Sequence, residues 1–174
     1  MLTVRLTLIN PGREPFPFGL GFHPFFARTP ATRLAFRAGG VWSTDATMLP
    51  TKLEPALREG SFETARAVGA ATIDNVFTVW DGRATLRDES RRLDMALTAD
   101  RAATFLVVYA PARGDAIALE PATHMTDAFN RAARGERDTG TRTLRPGAAF
   151  SCTMEIAVHR LPCCSSAAAS ASRW

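Results

Sequence analysis

Residues 73–86 read Ile73-Asp74-Asn75-Val76-Phe77-Thr78-Val79-Trp80-Asp81-Gly82-Arg83-Ala84-Thr85-Leu86. Two runs rich in β-branched and aromatic residues flank Asp81-Gly82. Such residues suit a pleated, half-buried surface, and Asp-Gly tolerates the positive φ of a tight turn, so the stretch predicts a β-hairpin. Working outward, the same pattern recurs. Residues 2–9 alternate Leu2, Val4, Leu6 and Leu8 with Thr3, Arg5 and Thr7, and stop at Asn10-Pro11-Gly12. A period of two closed by a turn marks a strand with one buried face. Further strands are predicted near 33–37, 72–79, 83–87, 92–98, 103–110, 115–120 and 149–158, with Pro146-Gly147 setting a turn before the last. Helical patterning is confined to a turn or two at 52–59 and at 127–133. Many short, closely spaced strands predict an all-β sandwich or barrel.

The chain has 174 residues, 46% of them hydrophobic and 22% charged, which fits one ordinary domain. Its net charge is +4 and its pI about 9.6. The basic residues are nearly all arginine, with Lys52 the single lysine, and acids interleave with them, as in Arg87-Asp88-Glu89-Ser90-Arg91-Arg92-Leu93-Asp94. That reads as a solvated surface rather than a phosphate track, so no nucleic-acid partner is expected. No apolar run approaches the ~18 residues that span a bilayer. The N-terminus lacks the apolar core of a signal peptide. The expectation is a cytoplasmic protein without a membrane partner. Cys152 reads as a small strand residue, while Cys163 and Cys164 have no second pair at zinc-ligand spacing. Residues 1–160 are expected to form the domain, and the low-complexity residues 161–174 a disordered tail. Met1 stands directly on a strand, so the reading expects that strand's partners to come from outside the sequence.

Few residues offer chemistry. His23 lies in Gly19-Leu20-Gly21-Phe22-His23-Pro24-Phe25-Phe26, where glycines and a proline fix an unusual backbone path. It reads either as a proton-transfer group or as a histidine packed among aromatics. Glu120 closes the apolar run Ile117-Ala118-Leu119-Glu120 before Pro121. It is either a partly buried base at a sheet rim or an ordinary strand-end acid. Asp74 and Asn75, side by side, suit sugar hydroxyls or a turn. No phosphate loop, nucleotide fingerprint or nucleophile elbow is present. His23, His124 and Glu120 lack the short spacing of strong metal motifs, so no metal and no cofactor are expected.

In order along the chain, four segments resemble the aldose 1-epimerase family: Asn10 to Phe26 with its Gly-x-His-Pro-Phe-Phe ending, Trp42 to Thr51, Ile73 to Trp80, and Phe105 to Asn130. The most specific is Glu120-Pro121-Ala122-Thr123-His124-Met125-Thr126-Asp127-Ala128-Phe129-Asn130. The resemblance covers residues 1–159 and implies a galactose mutarotase-like antiparallel β-sandwich, in partial form. It further implies interconversion of α and β anomers of a free aldose, with His23 as general acid, Glu120 as general base and Asp74 binding sugar hydroxyls. The family's Arg and second His near the ring oxygen precede the region matched here. On this reading His124 and His159 stand in the wrong places to replace that second His. A non-catalytic carbohydrate-binding or remnant domain of the same fold is the alternative.

Overall fold

The computed structural model describes residues 1–56 and 62–162. Two six-stranded sheets pack face to face. In spatial order, the first sheet comprises β1 (Leu2–Ile9), β14 (Ala149–Arg160), β10 (Leu93–Ala99), β9 (Arg83–Asp88), β4 (Thr32–Phe36) and β7 (Arg66–Ala67). The second comprises β3 (Phe25–Ala27), β12 (Ala116–Ala122), β11 (Phe105–Ala110), β8 (Ile73–Thr78), β5 (Gly40–Thr44) and β6 (Pro50–Pro55). A ribbon of β2 (Phe16–Phe18) and β13 (Arg142–Leu144) and one helix, α1 (Ala128–Ala133), complete the described chain. Every strand pair is antiparallel. The all-β antiparallel sandwich expected from the sequence is the observed architecture.

The period of two explains the layering. Leu34, Leu86, Leu97 and Met154 of the first sheet meet Phe77, Leu106, Val108, Ile117 and Leu119 of the second in one large core. A smaller cluster, Val76, Phe105, Ala122, Met125 and Ala128, covers the opposite face of the second sheet, where α1 lies. That second sheet is therefore buried on one face and half-covered on the other, which creates the cleft described below.

Three expectations are corrected. The Asp81-Gly82 turn is not a hairpin, because β8 pairs with β11 and β5 while β9 pairs with β10 and β4. The left-handed Val79 (φ 55°) turns the chain out of β8. Trp80 then buries itself in the core and ties Nε1 to the Arg83 carbonyl at 3.0 Å. The turn thus carries the chain from one sheet to the other. Residues 52–55, predicted helical, belong to β6, since pairing of Lys52 and Leu53 with Ser43 and Trp42 overrides local propensity; 57–59 lie outside the described residues. The first strand finds a partner within the chain, with β1 running along β14 from Leu2↔Ile156 to Ile9↔Ala149. Its other edge has no strand beside it among the described residues.

The helix predicted at 127–133 is α1. Cys152 is buried in β14, where burial first and the neighbouring Asp100 carboxylate second push its thiol up to about 12. Leu161 still donates to the Arg92 carbonyl at 2.9 Å. Cys163, Cys164 and the rest of the expected tail from residue 163 lie outside the described residues.

One buried acid staples the far end of the first sheet. Asp88 is 1% exposed. Burial alone would raise its carboxyl, but hydrogen bonds from Ser90 Oγ (2.6 Å), Thr29 Oγ1 (2.6 Å), the Arg91 amide (3.0 Å) and Thr32 Oγ1 (3.0 Å) outweigh burial and hold it at about 2. A carboxylate held below its ordinary value adds stability that is full above that value and is lost as pH falls through the folded one. Asp88→Ala is expected to lower unfolding stability by about 2–3 kcal/mol at neutral pH. Chemical denaturation between pH 7 and pH 2 checks this, with the deficit shrinking as pH falls from 3.8 towards 2.

Candidate active site

The site is built on the ladder between β12 and the segment that leads into β3. Phe25 pairs with Ala118, and Gly21 forms an isolated bridge with Ala122. Carried inward two residues from either side, that register sets His23 directly opposite Glu120. The hydrogen bonds agree: Thr123 N donates to Leu20 O at 2.8 Å, Phe22 N to Pro121 O at 2.9 Å and Leu119 N to Pro24 O at 3.3 Å. His23 and Glu120 therefore form the non-hydrogen-bonded pair, the position where facing side chains approach most closely in an antiparallel ladder.

Both prolines act on this ladder. A strand residue points its N–H and C=O the same way, so Pro24 and Pro121, whose carbonyls face each other's strands, each withhold one donor from it. Regular pairing stops there, and β3 begins only at Phe25. Pro121 is harmless to the β11 side of the sheet, because its missing donor points away from Leu106, its partner there.

Alternation sends Phe22 and Phe26 into the core and His23 and Phe25 outward. His23 Nε2 lies 3.0 Å from Glu120 Oε1. The imidazole is 57% exposed and the carboxyl only 17%. So His23 is not enclosed by aromatics, one of the two readings of its sequence, since among the described residues only the Phe25 ring lies against it, at 4.8 Å between centroids. Glu120 likewise is not at a strand end. It lies within β12, paired with Val107 of β11.

The electrostatics follow from this placement. Burial raises the Glu120 carboxyl above its ordinary range, His23 pulls it back, and the charge of Asp74 pushes it up again. Asp74 sits on β8 opposite Tyr109, and burial raises its carboxyl too. Asn75, its neighbour, faces the other side of the sheet and donates Nδ2 to the Trp42 carbonyl at 2.9 Å. Of the adjacent pair proposed from sequence, only Asp74 shares the face of Glu120.

An open cleft is lined by His23, Glu120, Val107, Ala122, Met125 and His124, among others. His124 is the surprise, because the sequence reading set it apart from the site. Strand parity was the available signal: Glu120, Ala122 and His124 share one face. The His124 ring is stacked against Phe129, with centroids 5.7 Å apart and planes at 7°. Its other flank lies on Gly19, where any Cβ would overlap the ring. Gly140, at φ 78°, similarly leaves room for the Thr123 carbonyl and the His124 backbone. Burial holds the His124 imidazole below its ordinary value, with the nearby Leu20 backbone opposing.

The profile of the family described as aldose 1-epimerase matches residues 1–157. The chain belongs to this family. It is 30% identical over 168 residues to the uncharacterized protein YphB of Escherichia coli K12, covering 92% of this chain and 57% of YphB. A solved Escherichia coli K12 structure, provisionally described as an aldose 1-epimerase, superposes with a TM-score of 0.80 at 25% identity, over 91% of this chain and 56% of that one. A galactose mutarotase-like protein from Clostridium acetobutylicum gives 0.77 at 19% identity, over 91% and 52%. The chain thus spans a little over half the length of these relatives.

The aldose 1-epimerase motif from Glu120 to Asn130 divides by role. Asn130 Nδ2 and Arg134 Nη2 hold the Asp127 carboxylate at 2.5 and 3.2 Å, which closes the left-handed turn into α1. Arg131 fixes the helix to the sheet. It donates Nη1 to the Pro50 carbonyl at 2.7 Å, pairs with Glu136 at 2.7 Å and lies over the Trp42 ring at 4.6 Å. Asp127 and Asn130 therefore shape the wall, and Glu120 and His124 face the cleft. Among the described residues, no group of three His, Cys, Asp or Glu side chains is placed to hold a metal ion. Gly19→Ala is expected to displace the His124 ring and cost about 1–3 kcal/mol of stability by overpacking, read by urea denaturation.

Proposed function

We propose that this chain is an isomerase of the aldose 1-epimerase type, interconverting the α and β anomers of a free aldose, with His23 as general acid, Glu120 as general base and Asp74 binding sugar hydroxyls. The observation that carries the reading is the 3.0 Å contact between His23 Nε2 and Glu120 Oε1 in an open cleft. A cyclic hemiacetal carries its hydroxyl and ring oxygens on the same carbon, C1. A donor and an acceptor held side by side are spaced to reach both.

The protons balance. Glu120 takes the proton from the C1 hydroxyl as protonated His23 gives one to the ring oxygen, and the bond from C1 to the ring oxygen breaks. The C1–C2 bond rotates. Glu120 then returns its proton to the carbonyl oxygen while His23 recovers its own, and the ring closes on the other face. Both groups end as they began, and no metal, nucleotide or covalent intermediate enters. Positioned acid and base groups each contribute about 10²–10⁴-fold in such steps.

Polarimetry of fresh α-galactose and α-glucose tests this. Wild-type protein is expected to speed the approach to equilibrium, and His23→Ala and Glu120→Gln each to cut kcat/KM by about 10²–10⁴-fold. A wild-type rate equal to buffer sinks the reading for those sugars. The coverage of a little over half of each relative favours a second reading, a carbohydrate-binding domain of this fold without turnover. Heat of binding to the same sugars with no change in mutarotation would select it.

The raised Glu120 carboxyl sets two signs. Glu120 must be ionised to act as a base, so the acidic limb of kcat/KM is expected above the ordinary glutamate value of about 4.3. A carboxyl that binds its proton more tightly folded than unfolded costs stability once both forms are ionised. Glu120→Gln is therefore expected to melt higher than wild type at about pH 8, with the advantage gone near pH 4, below the ordinary value. Thermal melts at the two pH values check it.

A further inference from the structure

His124 meets His23 and Glu120 in the cleft, and nothing in the proton-transfer scheme uses it. Its ring is held from both sides, by Phe129 in a parallel stack and by Gly19, which has no side chain to displace it. Nδ1 is buried without a hydrogen-bond partner. A half-buried imidazole with so little internal hydrogen bonding is an expensive way to fill space, since buried polar groups normally find partners. Phenylalanine or leucine would fill the slot without an orphaned nitrogen. The other ring nitrogen, Nε2, is absent from the enclosed, unpartnered atoms that include Nδ1, and the residue lines the open cleft. With Nδ1 enclosed, Nε2 is the ring nitrogen through which His124 can meet a ligand in the cleft.

We propose that His124 is a third substrate-binding group of this cleft, using Nε2 to hydrogen-bond a hydroxyl of the sugar beside the His23–Glu120 pair. This rests on the epimerase reading and deepens it. A hydroxyl both donates and accepts, so it meets either neutral tautomer of the imidazole. The flanking stack fixes the ring plane before the sugar arrives, so little rotamer freedom is lost on binding. A neutral imidazole also adds no charge beside Glu120 and Asp74, leaving the balance that sets the base undisturbed. Held this way, His124 binds ground state and transition state alike and acts on KM rather than on kcat.

The test uses the full chain with D-galactose as the probe. In the imidazole ¹⁵N spectrum, with His159→Gln and His23→Ala used for assignment, galactose is expected to shift His124 together with His23. His124→Phe, which keeps a stacking ring, is expected to raise KM for mutarotation about 3- to 10-fold with kcat within about twofold, the size of one neutral hydrogen bond. Should His124→Phe fail to fold, the wild-type titration decides alone. A shift of His23 with His124 unmoved, or an unchanged KM in a folded His124→Phe, overturns the inference and spares the epimerase reading. No response from either imidazole, with no catalysed mutarotation, overturns both.

Discussion

Everything at the cleft depends on a single alignment, the antiparallel register of the Gly21–Ala27 segment along β12. Fix Phe25 against Ala118 and Gly21 against Ala122, and His23 must face Glu120. No loop has to fold into place to bring the two together. A one-residue slip would send His23 into the core and Phe22 outward, exchanging a polar imidazole for a phenyl ring. The core therefore enforces the register through Phe22 and Phe26, both nearly fully buried. Packing energy, which has nothing to do with chemistry, ends up placing an acid against a base to within hydrogen-bond distance.

The two prolines qualify that rigidity. Each removes one ladder bond from the pair next to His23 and Glu120, one on either side. The backbone there is held by Phe22, Leu119 and Thr123 amides alone. The contact between His23 and Glu120 thus sits where the strand is least tightly zipped. Burial raises the Glu120 carboxyl, a cost that folding would avoid by leaving the group in water. Such a site is stabilised from elsewhere, by the main core and by locks such as Asp88 and Arg131.

Much of this was legible in the sequence, for physical reasons that can be named. Strands buried on one face announce themselves by alternation, and β1, β10 and β14 were read that way. His23, Glu120 and Asp74 were singled out by residue type and resemblance, and the fold brings the first two into contact. Other features were hidden. The two- and three-residue strands β2, β3, β7 and β13 are too short to carry a period. Asp81-Gly82 is a true turn, but its sequence does not tell a hairpin from a crossover between sheets, because that choice is made by Val79 and Trp80 packing against distant strands. Asp74 and Asn75 look equivalent until pleating sends them to opposite faces. His124 was set aside because it stands in the wrong place to replace the family's second His, although its parity with Glu120 already put it on the same side.

The pairing of β1 with β14 has a consequence for how the molecule is made. Leu2 pairs with Ile156, so the first strand waits for nearly the whole described chain before its neighbour exists. At about 5–20 residues per second, synthesis takes on the order of ten seconds to reach that partner. The strands β8 to β12, which lie close in sequence, can assemble meanwhile, and the last strand then slides between β1 and β10 to close the first sheet. The first sheet is thus completed when β14 joins strands from opposite ends of the described chain.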